Sequence, residues 1–122
     1  MGRFFMAKTF ENQRIRRVAL ADIVAMHNKE PMKFQLPEAR HLNSVSVGDH
    51  VKVGVLNKED LTKIAEHFWV RVTEISEDGQ YTGYIDNEPE ILLNLKIRDK
   101  LVFSRNNIMA ALVYNKESTR AK

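Results

Sequence analysis

The chain contains no cysteine, which excludes disulfides, thiolate metal sites and cysteine nucleophiles together. Three prolines and five glycines among 122 residues are too few for a low-complexity or collagen-like chain. No apolar run approaches the roughly 18 residues that span a bilayer. Residues 1–8 hold too short an apolar stretch for a secretory signal, and Met6 stands where a myristoylation motif needs Ser or Thr. Glycines 48, 54, 79 and 83 are dispersed, so no phosphate-cradling loop is present. The expectation is a cytoplasmic protein without membrane attachment, with one domain's worth of core.

Chemistry is equally sparse. His27, His41, His50 and His67 show no metal-ligand spacing, and the acidic run 86–90 is interrupted by Pro89 and lacks a calcium loop's glycine. No serine sits in a nucleophile elbow, and no carboxylate pair is marked out as acid and base. A non-enzymatic role without cofactor or metal is therefore expected.

What the chain does have is a soluble composition, 43% hydrophobic and 29% charged, with a net charge of +3. That charge is uneven. Residues 1–40 carry +4, residues 41–100 carry −4 and residues 101–122 carry +3. Basic ends flank an acidic middle, so phosphate contacts would have to come from the arms, chiefly Arg14, Arg16, Arg17 and Lys116.

Residues 13–26 are rich in helix formers, and their length and alanines predict a helix, although Asp22 falls among the apolar positions of its wheel. Pro31 breaks that segment, and Pro37 suits the first turn of a short helix through residue 41. From residue 45 the period becomes two. Residues 50–55, 68–75, 80–87, 100–104 and 109–114 read as strands, and Asp78-Gly79 as a hairpin turn. Residues 58–66 fit either a short helix or an ordered loop. The pattern predicts a mainly β fold, α+β at the edges. It would be a small, strongly curved antiparallel sheet or partly open barrel, with an N-terminal helix and one or two helical turns. The organisation expected is an N-terminal extension (1–44) packed on the sheet, a β domain (45–114) and a basic tail (115–122).

One motif occurs twice. Val47-Gly48-Asp49-His50-Val51-Lys52-Val53 and Ile97-Arg98-Asp99-Lys100-Leu101-Val102-Phe103 share the order apolar, x, Asp, x, apolar, x, apolar. Each reads as a tight turn whose aspartate bonds nearby backbone N–H groups before a strand begins. Arg98 lacks the glycine that eases a left-handed turn.

A two- or four-residue loop at Asp78-Gly79 would set Val72 opposite Ile85, Arg71 opposite Asp86, Thr73 opposite Tyr84 and Trp69 opposite Glu88. One sheet face then carries Trp69, Arg71 and Tyr84, residue types enriched at binding hot spots, bordered by Asp86 and Asn87. The bland alternative buries Trp69 under the N-terminal segment or the 58–66 loop.

Three separated motifs resemble the bacterial YegJ-like domain family: Glu66-His67-Phe68-Trp69-Val70, then Gly83-Tyr84-Ile85-Asp86-Asn87-Glu88-Pro89, then Lys96-Ile97-Arg98-Asp99-Lys100-Leu101-Val102-Phe103 ahead of Ile108. The resemblance covers about residues 50–114. It departs at Arg98, which replaces the family's turn glycine, and at Ala110-Ala111, where an Asp-Trp pair often closes the domain. It implies a compact sheet-rich fold in a bacterial or phage protein, and carries no mechanism. The acidic middle, the sheet face and the absence of catalytic signatures lead instead to the expectation of a small interaction, regulatory or inhibitor module that meets a protein partner through the Trp69, Arg71, Tyr84, Asp86 and Asn87 surface. The alternative is a nucleic-acid-binding barrel that stacks bases on Trp69 and Tyr84 and uses Arg14, Arg16, Arg17 and Lys116 on phosphates. An uncovered sheet face would also allow a homo-oligomer.

Overall fold

A computed structural model describes residues 18–92 and 94–114. Five antiparallel strands form one sheet in the order β4-β3-β2-β1-β5: β1 (His50–Leu56), β2 (Ile64–Ile75), β3 (Gln80–Ile85), β4 (Lys100–Ser104) and β5 (Ala110–Leu112). A 3₁₀ turn (Arg105–Asn107) joins β4 to β5. Among the described residues no ladder links β4 to β5, so the sheet is open rather than closed into a barrel. Two short helices, α1 (Ile23–Lys29) and α2 (Ala39–Ser44), precede it.

Alternation in the strands sorts the two faces. Val51, Val53, Phe68, Val70, Val72, Ile85 and Leu101 point inward and are essentially inaccessible, packed with Ile108 and Leu95. Burying each such side chain contributes about 1.5–3 kcal/mol. The positions that alternate with them, including His50, Lys52, Trp69, Arg71, Tyr84 and Lys100, are partly or fully exposed and form the outer face.

The helix expected over residues 13–26 is corrected, and its first part, residues 13–17, lies outside the described residues. Residues 18–22 are extended, not helical. Leu20 forms a bridge with Val55, Ala21 donates its N–H to the Gly54 carbonyl at 2.8 Å, and Leu56 donates to the Ala19 carbonyl at 2.8 Å. The end of β1 thus satisfies backbone groups that a helix would have satisfied internally. Asp22, the residue that spoiled the helical face, is the N-cap of α1, its carboxylate accepting the Ala25 N–H at 3.0 Å. The helix ends just before Pro31. A helix does follow Pro37, but it runs from Ala39 to Ser44 with Glu38 as N-cap, so Pro37 stands outside it instead of at its first position and the helix passes residue 41. Residues 58–63 form an ordered loop, with Asn57 and Asp60 side chains accepting the N–H groups of Glu59 and Thr62.

The repeated turn motif is a repeated structure. Asp49 Oδ2 accepts the Ser46 N–H at 2.9 Å, and Asp99 Oδ2 accepts the Lys96 N–H at 3.0 Å. Gly48 and Val72 exchange backbone bonds with this turn (Gly48 N–H to the Val72 carbonyl, Val72 N–H to the Asp49 carbonyl), as Arg98, Ile85 and Asp99 do in the second. Both turns need a left-handed residue, Gly48 at φ 98° and Arg98 at φ 81°.

The β2–β3 register also differs from expectation. The hairpin loop has three residues, 77–79, with Gly79 left-handed at φ 88° and Ser76 and Gln80 closing it. A bulge at Thr73 then adds a second one-residue irregularity. The two together restore the parity of the faces but move the partners: Val70 faces Ile85, Arg71 faces Tyr84 and Val72 faces Gly83. Arg71 opposite Asp86, Thr73 opposite Tyr84 and Val72 opposite Ile85 are therefore corrected. Trp69 lies beside Asp86 rather than Glu88, its carbonyl accepting the Asp86 N–H at 2.8 Å.

Gly83 faces Val72 where β2 approaches closely. A Cβ there would strike the Arg71 carbonyl oxygen and come within 2.6 Å of a Val70 methyl. Gly83→Ala is expected to cost about 1–3 kcal/mol, read as a lower denaturant midpoint with an unchanged slope.

Candidate functional site

The outer face is built in rows across the strands. His50, Arg71, Tyr84 and Lys100 are successive partners on β1, β2, β3 and β4. Lys52 faces Trp69 in the next row, and Arg98 approaches Tyr84 from the turn before β4. Lys52 Nζ lies 5.1 Å from the centre of the Trp69 ring, and the Arg98 guanidinium 5.0 Å from that of Tyr84. Each contact is a cation–π pair. Among the described residues, none of Lys52, Arg71, Arg98 and Lys100 forms an ion pair with a carboxylate.

Asp86, just past β3, reaches His50 instead of Arg71. Its Oδ2 lies 2.6 Å from His50 Nε2, and the other ring nitrogen, Nδ1, lies 2.8 Å from the Tyr114 hydroxyl. The His50 and Asp86 side chains are 17% and 25% exposed. Tyr114 is held from its backbone as well, donating its N–H to Asp49 Oδ1 at 3.0 Å. Asn87 faces the backbone: its side-chain oxygen accepts the Trp69 N–H at 2.6 Å and continues the β2–β3 ladder.

Of the residues singled out by sequence, the structure gathers Trp69, Arg71, Tyr84 and Asp86 on or beside one face, while Asn87 turns its side-chain oxygen to the Trp69 backbone. Trp69 is partly accessible. Arg14, Arg16, Arg17 and Lys116 lie outside the described residues. His50, Lys52, Arg98, Lys100 and Tyr114 were not singled out as parts of this surface. The alternation in β1 placed His50 and Lys52 on the polar side, a usable signal; the Tyr114 contact depends on β5 returning to β1, which no local pattern encodes.

Two ionisable groups at the edge of the face are shifted. Burial pushes His67 down, Lys52 adds to this, and the adjacent Glu66 only partly opposes it. For Glu66, burial alone would raise the pKa, but the N–H groups of Glu90, Ile91 and Leu92 all donate to its carboxylate, at 2.7, 3.0 and 2.9 Å, and hold it below the usual range. This side chain ties the loop after β3 to the start of β2. Away from the face, an apolar cleft of about 460 Å³ is lined by Val18, Val55, Leu61, Ile91 and Leu95 among others. Among the described residues no group of three His, Asp or Glu side chains is disposed to hold a metal ion, and no helix is long and apolar enough to cross a membrane.

Because folding lowers the Glu66 pKa, the stabilisation it brings is complete above the unfolded value of about 4.3 and is lost as pH falls through the folded one. Glu66→Gln is expected to cost about 1 kcal/mol near neutrality. The deficit should shrink on acidification, seen by denaturation at pH 7 and pH 3.

A family model described as an uncharacterized protein conserved in bacteria (DUF2314) matches residues 31–121. No curated protein and no solved structure matches the chain.

Proposed function

The chain belongs to this family of bacterial proteins, and on that premise we propose that it is a non-enzymatic binding module, a small regulator or inhibitor of the YegJ-like kind, whose outer sheet face receives an acidic segment of a partner protein. One observation carries the reading: four cations, Lys52, Arg71, Arg98 and Lys100, share a face with Trp69 and Tyr84 and have no carboxylate partner among the described residues. Unpaired cations beside aromatic rings favour carboxylates that can bond guanidinium and ammonium groups at low desolvation cost.

A nucleic acid would meet the same charge, but base stacking needs an open ring. Here each ring already has a cation of its own chain near its centre, which favours charge recognition over stacking. The four cations of the sheet face could meet an acidic ligand without the basic arms.

Trp69 is the chain's single tryptophan and lies on the face, so its emission reports on occupancy. Titration with an oligo-glutamate peptide is expected to shift that emission saturably, and Arg71→Ala with Lys100→Ala to weaken binding at least about tenfold, equivalent to about 1.4 kcal/mol. Tight binding of a single-stranded oligonucleotide whose affinity collapses with salt, with no response to oligo-glutamate, overturns the reading.

A further inference from the structure

The binding reading makes no use of the hydrogen-bonded chain Asp86–His50–Tyr114, whose members come from three separate places in the sequence. Both ring nitrogens of His50 are engaged, Nε2 by a carboxylate at 2.6 Å and Nδ1 by a phenol at 2.8 Å. The carboxylate can only accept, which assigns the ring proton to Nε2. Nδ1 then presents its lone pair to the Tyr114 hydroxyl, which donates. An acid that orients an imidazole, which in turn accepts from a hydroxyl, is the arrangement that activates a nucleophile.

We propose that Tyr114 is a relay-activated nucleophile that accepts an acyl group from an activated acyl donor. On attack, a bond forms between Tyr114 Oη and the donor's carbonyl carbon while the phenolic proton passes to His50 Nδ1. Asp86 stabilises the resulting imidazolium. Collapse of the adduct breaks the bond from that carbon to the leaving group, which departs with the proton taken back from His50. The products are an aryl ester at Tyr114, neutral His50 and the free leaving group. One acyl group is taken per chain, so the step is a modification and requires no turnover.

The surroundings suit this chemistry. Tyr114 is 41% exposed, open to a donor in solution, while the relay behind it is largely covered. The imidazole and phenol rings meet edge to face at 80° with centres 5.5 Å apart. The Tyr114 backbone is fixed by Asp49, so the hydroxyl is positioned from both ends. Arg71, the strand partner of His50, and Lys52, two residues along β1, place positive charge on the same face as the developing oxyanion. Tyr84, under Arg98 and without an imidazole, supplies an internal control.

The test is exposure of the intact protein to limiting N-acetylimidazole, with site-resolved rates from peptide mass spectrometry. Tyr114 is expected to be acetylated at least about tenfold faster than Tyr84, since general-base assistance contributes about 10²–10⁴-fold. His50→Gln and Asp86→Asn should each bring Tyr114 down to the Tyr84 rate, with folding checked by circular dichroism and Trp69 emission. If either variant fails to fold, the solvent isotope effect on the unaltered protein decides: proton transfer to His50 during attack should slow the Tyr114 rate about twofold or more in D2O and leave the Tyr84 rate nearly unchanged. Equal rates at the two tyrosines, a Tyr114 rate unchanged in folded Asp86→Asn, or the same isotope effect at both tyrosines overturns the proposal.

Discussion

Two buried aspartates set the geometry on which the rest of this protein depends. Asp49 and Asp99 are 3% and 8% exposed, and a carboxylate in such a place is costly unless backbone donors surround it. Each accepts an N–H from three residues back in its own turn, and Asp49 also takes the N–H of Tyr114. The same turns exchange main-chain bonds with Val72 and Ile85, on the strands that neighbour β1 and β4. One device used twice therefore fixes where β1 starts against β2 and where β4 starts against β3. Because a one-residue slip would invert every side chain, these turns also decide which residues reach solvent.

The second turn carries a conformational cost that the first avoids. A left-handed non-glycine residue is disfavoured by about 1–2 kcal/mol, and Arg98 adopts that conformation where Gly48 serves the equivalent turn. The arginine gains a contact glycine could not make, its guanidinium over Tyr84. The strained backbone of Arg98 thus places a fourth cation on the outer face beside Lys52, Arg71 and Lys100.

The strands and their inward residues were legible because alternation is a local property. The sequence pattern of His50-Val51-Lys52-Val53 already separated core from surface, and the Asp turns were visible as a repeat. The face holding Trp69, Arg71 and Tyr84 was legible for the same reason. Its pairings were not, since the loop at 77–79 and the bulge at Thr73 depend on how a three-residue turn twists the strands it joins. The extended run at 18–22 was missed because its backbone is satisfied by β1, more than thirty residues away in the chain (Ala21 to Gly54), a tertiary effect that outweighs helix propensity. The Asp86–His50–Tyr114 chain spans separations of 36 and 64 residues and exists only once β5 has returned to β1.

The net charge of the chain's middle misdescribes its surface for a related reason. Residues 41–100 sum to −4, yet their carboxylates are placed by structure, not spread over the fold. Glu59 and Asp60 lie in the loop before β2, Glu77 and Asp78 in the hairpin turn, Glu88 and Glu90 after β3, and Asp49 and Asp99 in buried turns. Glu66 is bound to three backbone donors. Glu74 stands exposed on β2 opposite Thr82, and Asp86, just past β3, bonds to His50. Had it met Arg71, as the simpler hairpin register would have it, the central guanidinium of the face would be neutralised internally. The extra residue in the turn and the bulge move Asp86 past that partner, and Arg71 has no carboxylate partner among the described residues.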